Sequence, residues 1–256
     1  MVLVPGTSDY ATGDVRVAFL VVTNTARAVS RPKADVWVAR SRNAEPFVHT
    51  TATLEHIGLP GSAPAGGDVT SIYVAHFRAQ RPGVYWLLAR PIGGLRIGGV
   101  HDVDVKARSV TPAIGARALP SHTPTLASAP LRLLTTSVPP DRPLLRYSVA
   151  DSLRAHVPFV LTFATPRFCS SRTCGPVVDV VGAARRAFAG TGIRFIHVEI
   201  YRDNIPTKGE NEWVRQWHLP TEPWTFLVGR DGRVKAKFEG AISLGELSAA
   251  IRKDLA

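Results

Sequence analysis

The sequence predicts two domains, an all-β sandwich followed by an α/β fold, and three observations predict it. Apolar residues alternate at period two through the first hundred positions, as half-buried strands require. A proline-dense stretch then interrupts the chain between residues 109 and 143. Beyond it, near-continuous apolar runs alternate with segments of helical spacing, the pattern of a sheet covered on both faces. At 256 residues the chain is long enough for two ordinary cores. Its 21 glycines and 20 prolines favour turn-rich β structure over a helical bundle.

The first domain is expected over residues 10–108. Val15, Val17, Phe19 and Val21 alternate with other side chains, and Asp35 to Ala39 is a second, β-branched run. Tyr73, Ala75 and Phe77 form a third alternating set. A turn at Arg81-Pro82-Gly83 leads into a fourth strand from Val84 to Ala89, and Val103 and Val105 alternate with Asp102 and Asp104. The loop Gly58 to Asp68 separates short strands as in an antiparallel sandwich. Gly93-Gly94 and Gly98-Gly99 have no helix behind them and read as turns or bulges, not as a phosphate loop. The stretch Tyr73-x-Ala75-x-Phe77 followed by Pro82-Gly83-x-Tyr85-x-Leu87 resembles the paired late strands of immunoglobulin-like bacterial envelope modules. That resemblance implies an immunoglobulin-like sandwich.

Residues 109–143 contain Pro112, Pro120, Pro124, Pro130, Pro139, Pro140 and Pro143. Proline lacks the amide hydrogen that helices and sheets use, so this stretch is expected to be an extended connector.

The second domain, 144–256, opens with a serine-capped helix from Ser148 to Ala155. Val157 to Ala164 is an apolar run suited to a strand buried on both faces. Val177, Val181, Ala184 and Phe188 recur at helical spacing until Gly190-Thr191-Gly192, and Ile193 to Tyr201 is a second buried strand. Asn211 to His218 reads as helix, with Trp213 and Trp217 four apart and expected in the core. Trp224 to Val228 and Val234 to Phe238 flank Asp231-Gly232, a hairpin signal. Leu244, Leu247, Ile251 and Leu255 form a closing amphipathic helix.

That order, β-α-β-α-β-β-α behind a leading helix, is the order of a thioredoxin fold. Two motifs carry the resemblance. Phe159 to Phe163, the loop through Cys169 and the helix start Cys174-Gly175-Pro176 are similar to the strand–loop–helix of thioredoxin-like proteins. Leu219 to Arg233 is similar to their proline loop, following strand and hairpin. The whole of 144–256 resembles bacterial envelope proteins in which a β-sandwich precedes a thioredoxin-like domain. The resemblance implies thiol–disulfide exchange with a protein partner bearing a thiol or disulfide, through Cys169 and Cys174, and an extracytoplasmic or cell-envelope setting. It also implies that Glu222 and Pro223 meet the substrate, Pro223 matching the proline that takes the cis form; Trp224, directly after it, either walls the groove beside the sulfurs and meets the substrate or is simply packed. No cofactor is implied.

A thiol attacks as its thiolate, and a helix N-terminus stabilises a thiolate through unpaired amides and the macrodipole. Cys174 stands at such a start, where Pro176 fits without losing a hydrogen bond. Arg167 and Arg172 flank the pair and would favour a thiolate if turned inward.

The sequence also departs from the family. Thioredoxin-like oxidoreductases separate their cysteines by two residues; here four intervene. Aligning on Cys174-Gly175-Pro176 makes Cys174 the attacking residue, whereas aligning on Phe159–Phe163 brings Cys169 near that place. The helix start favours Cys174 as the thiolate and loop exposure favours Cys169 as the sulfur attacked, so the roles stay open. The buried acid of thioredoxins falls near Thr162, which cannot titrate, and Glu222 would disfavour a neighbouring thiolate when ionised. The alternative is a structural bridge in a non-catalytic binding scaffold. Closing so short a loop stabilises by only about 2 kcal/mol in the chain-entropy model.

Other function classes are poorly served. The net charge of +11 divides as +6 over residues 1–140 and +5 over 141–256, with no basic run longer than two residues, so nucleic acid is not expected. Weak association with anionic envelope surfaces is the most this charge supports. Two cysteines exclude a disulfide-rich scaffold and a four-cysteine zinc site. Cys169 and Cys174 with one histidine would suit copper, but copper-relay relatives separate their cysteines by three and keep a proline after the second. Peroxiredoxins need a threonine three residues before the reactive cysteine, where Pro166 or Ser171 stands. His197 reads as a core residue, while His218 is the histidine better placed to approach the cysteines. No apolar run reaches the roughly 20 residues of a membrane-spanning helix. The first ten residues lack the basic and apolar segments of a secretory signal, which leaves a cytoplasmic location as the alternative.

Overall fold

The alternating valines of the first hundred residues do form strands. A computed structural model describes residues 1–59, 70–93 and 99–256 of the chain. The expected loop Gly58 to Asp68, from residue 60 onward, and Gly94 and Gly98 lie outside the described residues. The chain divides into two units, Met1–His56 with Val69–Ser109, and Ile57–Asp68 with Val110–Ala256.

In the first unit the strands are β1 (Val2–Pro5), β2 (Tyr10–Ala11), β3 (Gly13–Val22), β4 (Lys33–Ala39), β5 (Val48–His56), β6 (Ser71–Ala79), β7 (Gly83–Pro91) and β8 (Gly99–Lys106). Val15, Val17, Phe19 and Val21 of β3 all face the core, as do Val103 and Val105 of β8, while Asp102 and Asp104 face away. The all-β character is as expected, but the arrangement differs. Among the described residues one eight-stranded sheet runs β1-β3-β6-β5-β4-β7-β8-β2, antiparallel except where β2 meets β8. This sheet curls until β8 approaches β1: a Cβ on Gly99 would lie 2.6 Å from the Leu3 nitrogen, so glycine is needed there. Hydrogen bonds therefore link all eight strands in one curled sheet, where an immunoglobulin-like pair of facing sheets was expected. The expected start at residue 10 also omitted β1.

The second unit holds α1 (Leu131–Leu134), α2 (Val149–Arg154), β9 (Phe159–Phe163), α3 (Cys174–Ala187), β10 (Arg194–Val198), α4 (Glu212–Gln216), β11 (Trp224–Val228), β12 (Val234–Glu239) and α5 (Leu244–Asp254). Ser148, Asn211 and Ser243 cap α2, α4 and α5, each accepting an amide from the first turn. The sheet order is β10-β9-β11-β12. β9 and β10 are parallel and joined through α3; β11 runs antiparallel to both β9 and β12. From α2 onward the elements follow the expected order along the chain, β-α-β-α-β-β-α behind a leading helix.

Strand alternation builds a core on each face of that sheet. Val160, Phe195 and Leu227 pack with Val177, Val181, Leu247 and Ile251 of α3 and α5. Phe159, Leu161, Phe163 and Phe226 pack on the other face with Val149, Val214 and Trp217. Every residue of β9 and β11 is buried, which accounts for their near-continuous apolar runs, each broken by one threonine. Among the described residues no helix is long and apolar enough to cross a membrane.

The proline-rich stretch is not the extended connector expected. From Val110 it belongs to the second unit. The Ala118 amide donates to Gly232 O over 2.8 Å, the Leu126 amide to Leu145 O over 2.9 Å, and Ser121, Thr123 and Leu134 are buried. Prolines forbid continuous helix and sheet, but they leave side chains free to pack.

Candidate functional site

Strand β9 delivers the chain to its carboxyl end, where Thr165 begins a tight loop back to α3. The Phe168 amide bonds to Thr165 O and the Arg172 amide to Cys169 O, so two successive turns bring Cys169 back toward the helix start. Arg172 takes a left-handed conformation, φ +59°, which residues bearing a Cβ seldom adopt. Cys169 and Cys174 are joined by a disulfide with their Cα atoms 5.9 Å apart.

The two sulfurs sit in different surroundings. Cys174 is fully buried among the apolar side chains under α3, whereas Cys169 is partly exposed. Thr173 precedes α3 without capping it. The amide of Cys174 instead donates to the sulfur of Cys169 over 3.3 Å, so this sulfur meets the first free amide of α3. The Ser171 hydroxyl lies 3.2 Å from the same sulfur and 2.8 Å from Thr173 Oγ1.

The second motif lies alongside. Glu222-Pro223 is a cis bond, and Pro223 is buried with its carbonyl accepting from Gly240 over 2.8 Å. Trp224, after the bend, pairs with Phe163 at the end of β9, and the Ser170 backbone, next to Cys169, lies near enough to the Glu222 carboxyl to favour its charged form, so the proline bend lies beside the cysteine loop. Burial pushes the Glu222 carboxyl above its ordinary range, the Ser170 backbone pulls the other way, and nearby Glu210 adds to the rise. The Tyr201 phenol is pushed up by burial and by the carboxylates of Glu222 and Glu210. Its ring stands edge-on to Phe168 at 6.3 Å, so it too borders the loop. Sequence reasoning missed Tyr201 and Phe168 as neighbours, because nothing in their spacing relates β10 to the loop after β9.

The remaining expected residues sort clearly. Arg167 and Arg172 are exposed, and the Arg167 guanidinium lies over the Phe168 ring at 5.5 Å. Of the two readings for Trp224, groove wall or packed residue, the structure shows the packed one, at 1% exposed. Its indole stacks on Phe226, donates to Thr221 Oγ1 over 3.2 Å and pairs across the sheet with Phe163. A residue walled in by strands on both sides supports the proline bend from below and offers no face to a partner. Thr162, at the place of the family's buried acid, shares a 3.2 Å hydrogen bond with Thr225 in the core. His197 is a satisfied core residue, its Nε2 3.0 Å from Ala164 O, and His218 is exposed beyond α4. Trp217 is in the core as expected, whereas Trp213 lines a cavity beside β10. Among the described residues no group of three or more metal-ligating side chains occurs.

No family model matches the sequence, and no curated protein matches it. Among solved structures, a thiol:disulfide interchange protein of the thioredoxin family from Chlorobium tepidum TLS is similar at 13% identity, with a TM-score of 0.33 over 57% of this chain and 97% of that one. At that level the strand order and the meeting of the cysteine loop with the proline bend, rather than the match, carry the comparison with thioredoxins.

Proposed function

We propose that the second unit is a thioredoxin-like domain that exchanges its Cys169–Cys174 disulfide with thiols of a protein partner, Cys169 being the sulfur attacked. The carrying observation is the asymmetry of the pair: a partly exposed sulfur that accepts the first amide of α3, bonded to a sulfur wholly inside the core. A partner thiolate attacks Cys169 Sγ in line with the bridge; the new S–S bond forms as the old one breaks, and the electron pair leaves on Cys174. A second partner thiolate then attacks the partner's sulfur in this mixed disulfide, releasing an oxidised partner and the dithiol protein. Run in reverse, the Cys169 thiolate attacks a partner disulfide and Cys174 resolves it.

In this reading the Cys174 amide and the Ser171 hydroxyl hold the Cys169 thiolate. Glu222, the titratable group beside the loop, takes the proton-handling part that Thr162 cannot, and the Pro223 bend presents its backbone to the partner. The exposed Arg167 and Arg172 contribute only a screened positive field. A stable bridge suits an oxidising compartment, which supports an extracytoplasmic setting in this reading.

A second reading, a bridge that merely pins the loop of a binding scaffold, is favoured by the non-titrating Thr162–Thr225 pair. Insulin-disulfide reduction by the wild type, Cys169→Ser and Cys174→Ser separates the two. Exchange requires activity that both substitutions abolish, with Cys174→Ser accumulating a mixed disulfide through Cys169. A reduction potential below about −300 mV together with no activity would establish the structural bridge.

A further inference from the structure

We propose that the cavity at the carboxyl end of β10 binds a guanidinium or ammonium group carried on an apolar stem, with Glu199 as its counter-charge. The cavity measures about 420 Å³, within the range of small-ligand sites, and Leu133, Leu134 and Trp213 form its apolar wall. It lies outside the end of a parallel strand, where open α/β sheets gather their ligands.

Glu199 decides the chemistry. Its residue is 4% exposed and lines the cavity. Carboxylate oxygen Oε1 accepts the backbone amide and, over 2.7 Å, the hydroxyl of Thr136, so the side chain is held in place. The other oxygen, Oε2, is buried without a hydrogen-bond partner among the described residues. The neighbouring polar groups are already engaged. Asn211 donates to Glu199 O and accepts from the Val214 amide, and His197 contacts Ala164 O. Arg202 and Arg215 also line the cavity, but they are exposed and neither donates to Oε2.

A fixed carboxylate with one oxygen unmet, in a cavity with an apolar wall on one side and Asp203 and Glu212 as further carboxylates in its lining, is complementary to a charged N–H donor that brings its own hydrocarbon with it. Trp213 adds an aromatic face against which a guanidinium can stack. Two sources share this chemistry, a free amine or guanidine and a basic side chain of a partner protein.

Calorimetric titration of the oxidised full chain, with no thiol present, tests the site independently of disulfide exchange. The probes are agmatine and the blocked peptide acetyl-Ala-Arg-Ala-amide, with the citrulline peptide as an uncharged isostere. Saturable binding of agmatine or the arginine peptide is expected, with the citrulline peptide weaker by about tenfold or more. Glu199→Gln should erase that discrimination. Ala129→Trp, which fills the cavity while leaving Glu199 untouched, should abolish binding, and it decides the matter if Glu199→Gln does not fold. Tighter binding of agmatine would identify a small-molecule site, and tighter binding of the peptide a docking site for a basic side chain. No saturation by either cation, equal binding of the citrulline peptide, or undiminished binding by Ala129→Trp would overturn the proposal.

Discussion

The backbone amide of Cys174 donates to the sulfur of Cys169 across 3.3 Å, so the open end of α3 is directed at the more accessible of the two bonded sulfurs. Once the bridge is reduced, that geometry favours negative charge on Cys169 and leaves Cys174 as a covered thiol. In the reduced protein at pH 7, iodoacetamide should therefore modify Cys169 at least about tenfold faster than Cys174. Peptide mapping of the first alkylation event checks this; preferential labelling of Cys174 would reverse the roles.

Ser171 supplies the other contact to that sulfur, at 3.2 Å. Ser171→Ala should slow alkylation of Cys169 by roughly fivefold, the worth of one ordinary hydrogen bond of about 1 kcal/mol. Because Ser171 is exposed, the melting temperature should hardly move. An unchanged rate would mean that the hydroxyl serves Thr173 alone.

Glu222 gives the loop a pH dependence whose sign follows from its burial. The folded protein holds this carboxyl above the ordinary glutamate value of 4.5, so it binds its proton more tightly folded than unfolded. The corresponding stability is fully present below the unfolded value and is lost as pH rises through the folded one. Glu222→Gln removes that loss. The variant should melt above the wild type near neutral pH, with the gap closing at about pH 4 and below. Thermal melts over that range would refute the assignment if the gap widened toward acid.

Much of this was legible before any coordinates, and the parts that were not share a cause. Burial on both faces writes itself into β9 and β11 as near-continuous apolar runs, and Ser148, Asn211 and Ser243 mark helix starts by short-range chemistry. The two thioredoxin-like motifs led to the expectation that the Glu222-Pro223 bend lies near the cysteines, without naming Ser170 as the neighbour of Glu222. Strand β5, Val48–His56, escaped because Thr50 interrupts the alternating set of Val48, Ala52 and Leu54 and polar residues dominate the rest. The curl that brings Gly99 against β1 is a long-range event that no local pattern encodes. The cavity at Glu199 escaped for the same reason, since its walls come from α1, β10 and α4. Trp224 stayed open between groove wall and core because adjacency to Pro223 in sequence says nothing about which way an indole points.

In the core beneath the site, Thr162 and Thr225 satisfy one another where a thioredoxin would hold an acid. Removing one hydroxyl strands the other in an apolar layer, whereas removing both leaves two well-packed valines. Thr162→Val should destabilise the protein by about 1–3 kcal/mol, and Thr162→Val with Thr225→Val by clearly less than the sum of the single changes. Urea denaturation of the three variants completes the cycle. Additive losses would show that each hydroxyl has another partner.

The packing of the proline-rich stretch rests on Ser121, whose hydroxyl accepts the Trp217 indole N–H over 2.9 Å and donates to Gln216 Oε1 over 2.6 Å. Trp217 is wholly buried against Phe163 and Phe226 at the centre of one face of the sheet, so its N–H has no access to water. An extended connector would tolerate Ser121→Ala within about 0.5 kcal/mol, as surface substitutions usually are. A packed segment that satisfies a buried indole would lose about 1–3 kcal/mol, because the N–H is left unpartnered in the core. Trp217→Phe in the Ser121→Ala background removes that orphaned donor, so the second substitution should cost less there than it does in the wild type. Urea titration followed by tryptophan fluorescence, with far-ultraviolet circular dichroism for the variants lacking Trp217, measures both. A Ser121→Ala midpoint equal to the wild type would return residues 109–143 to the status of a tether.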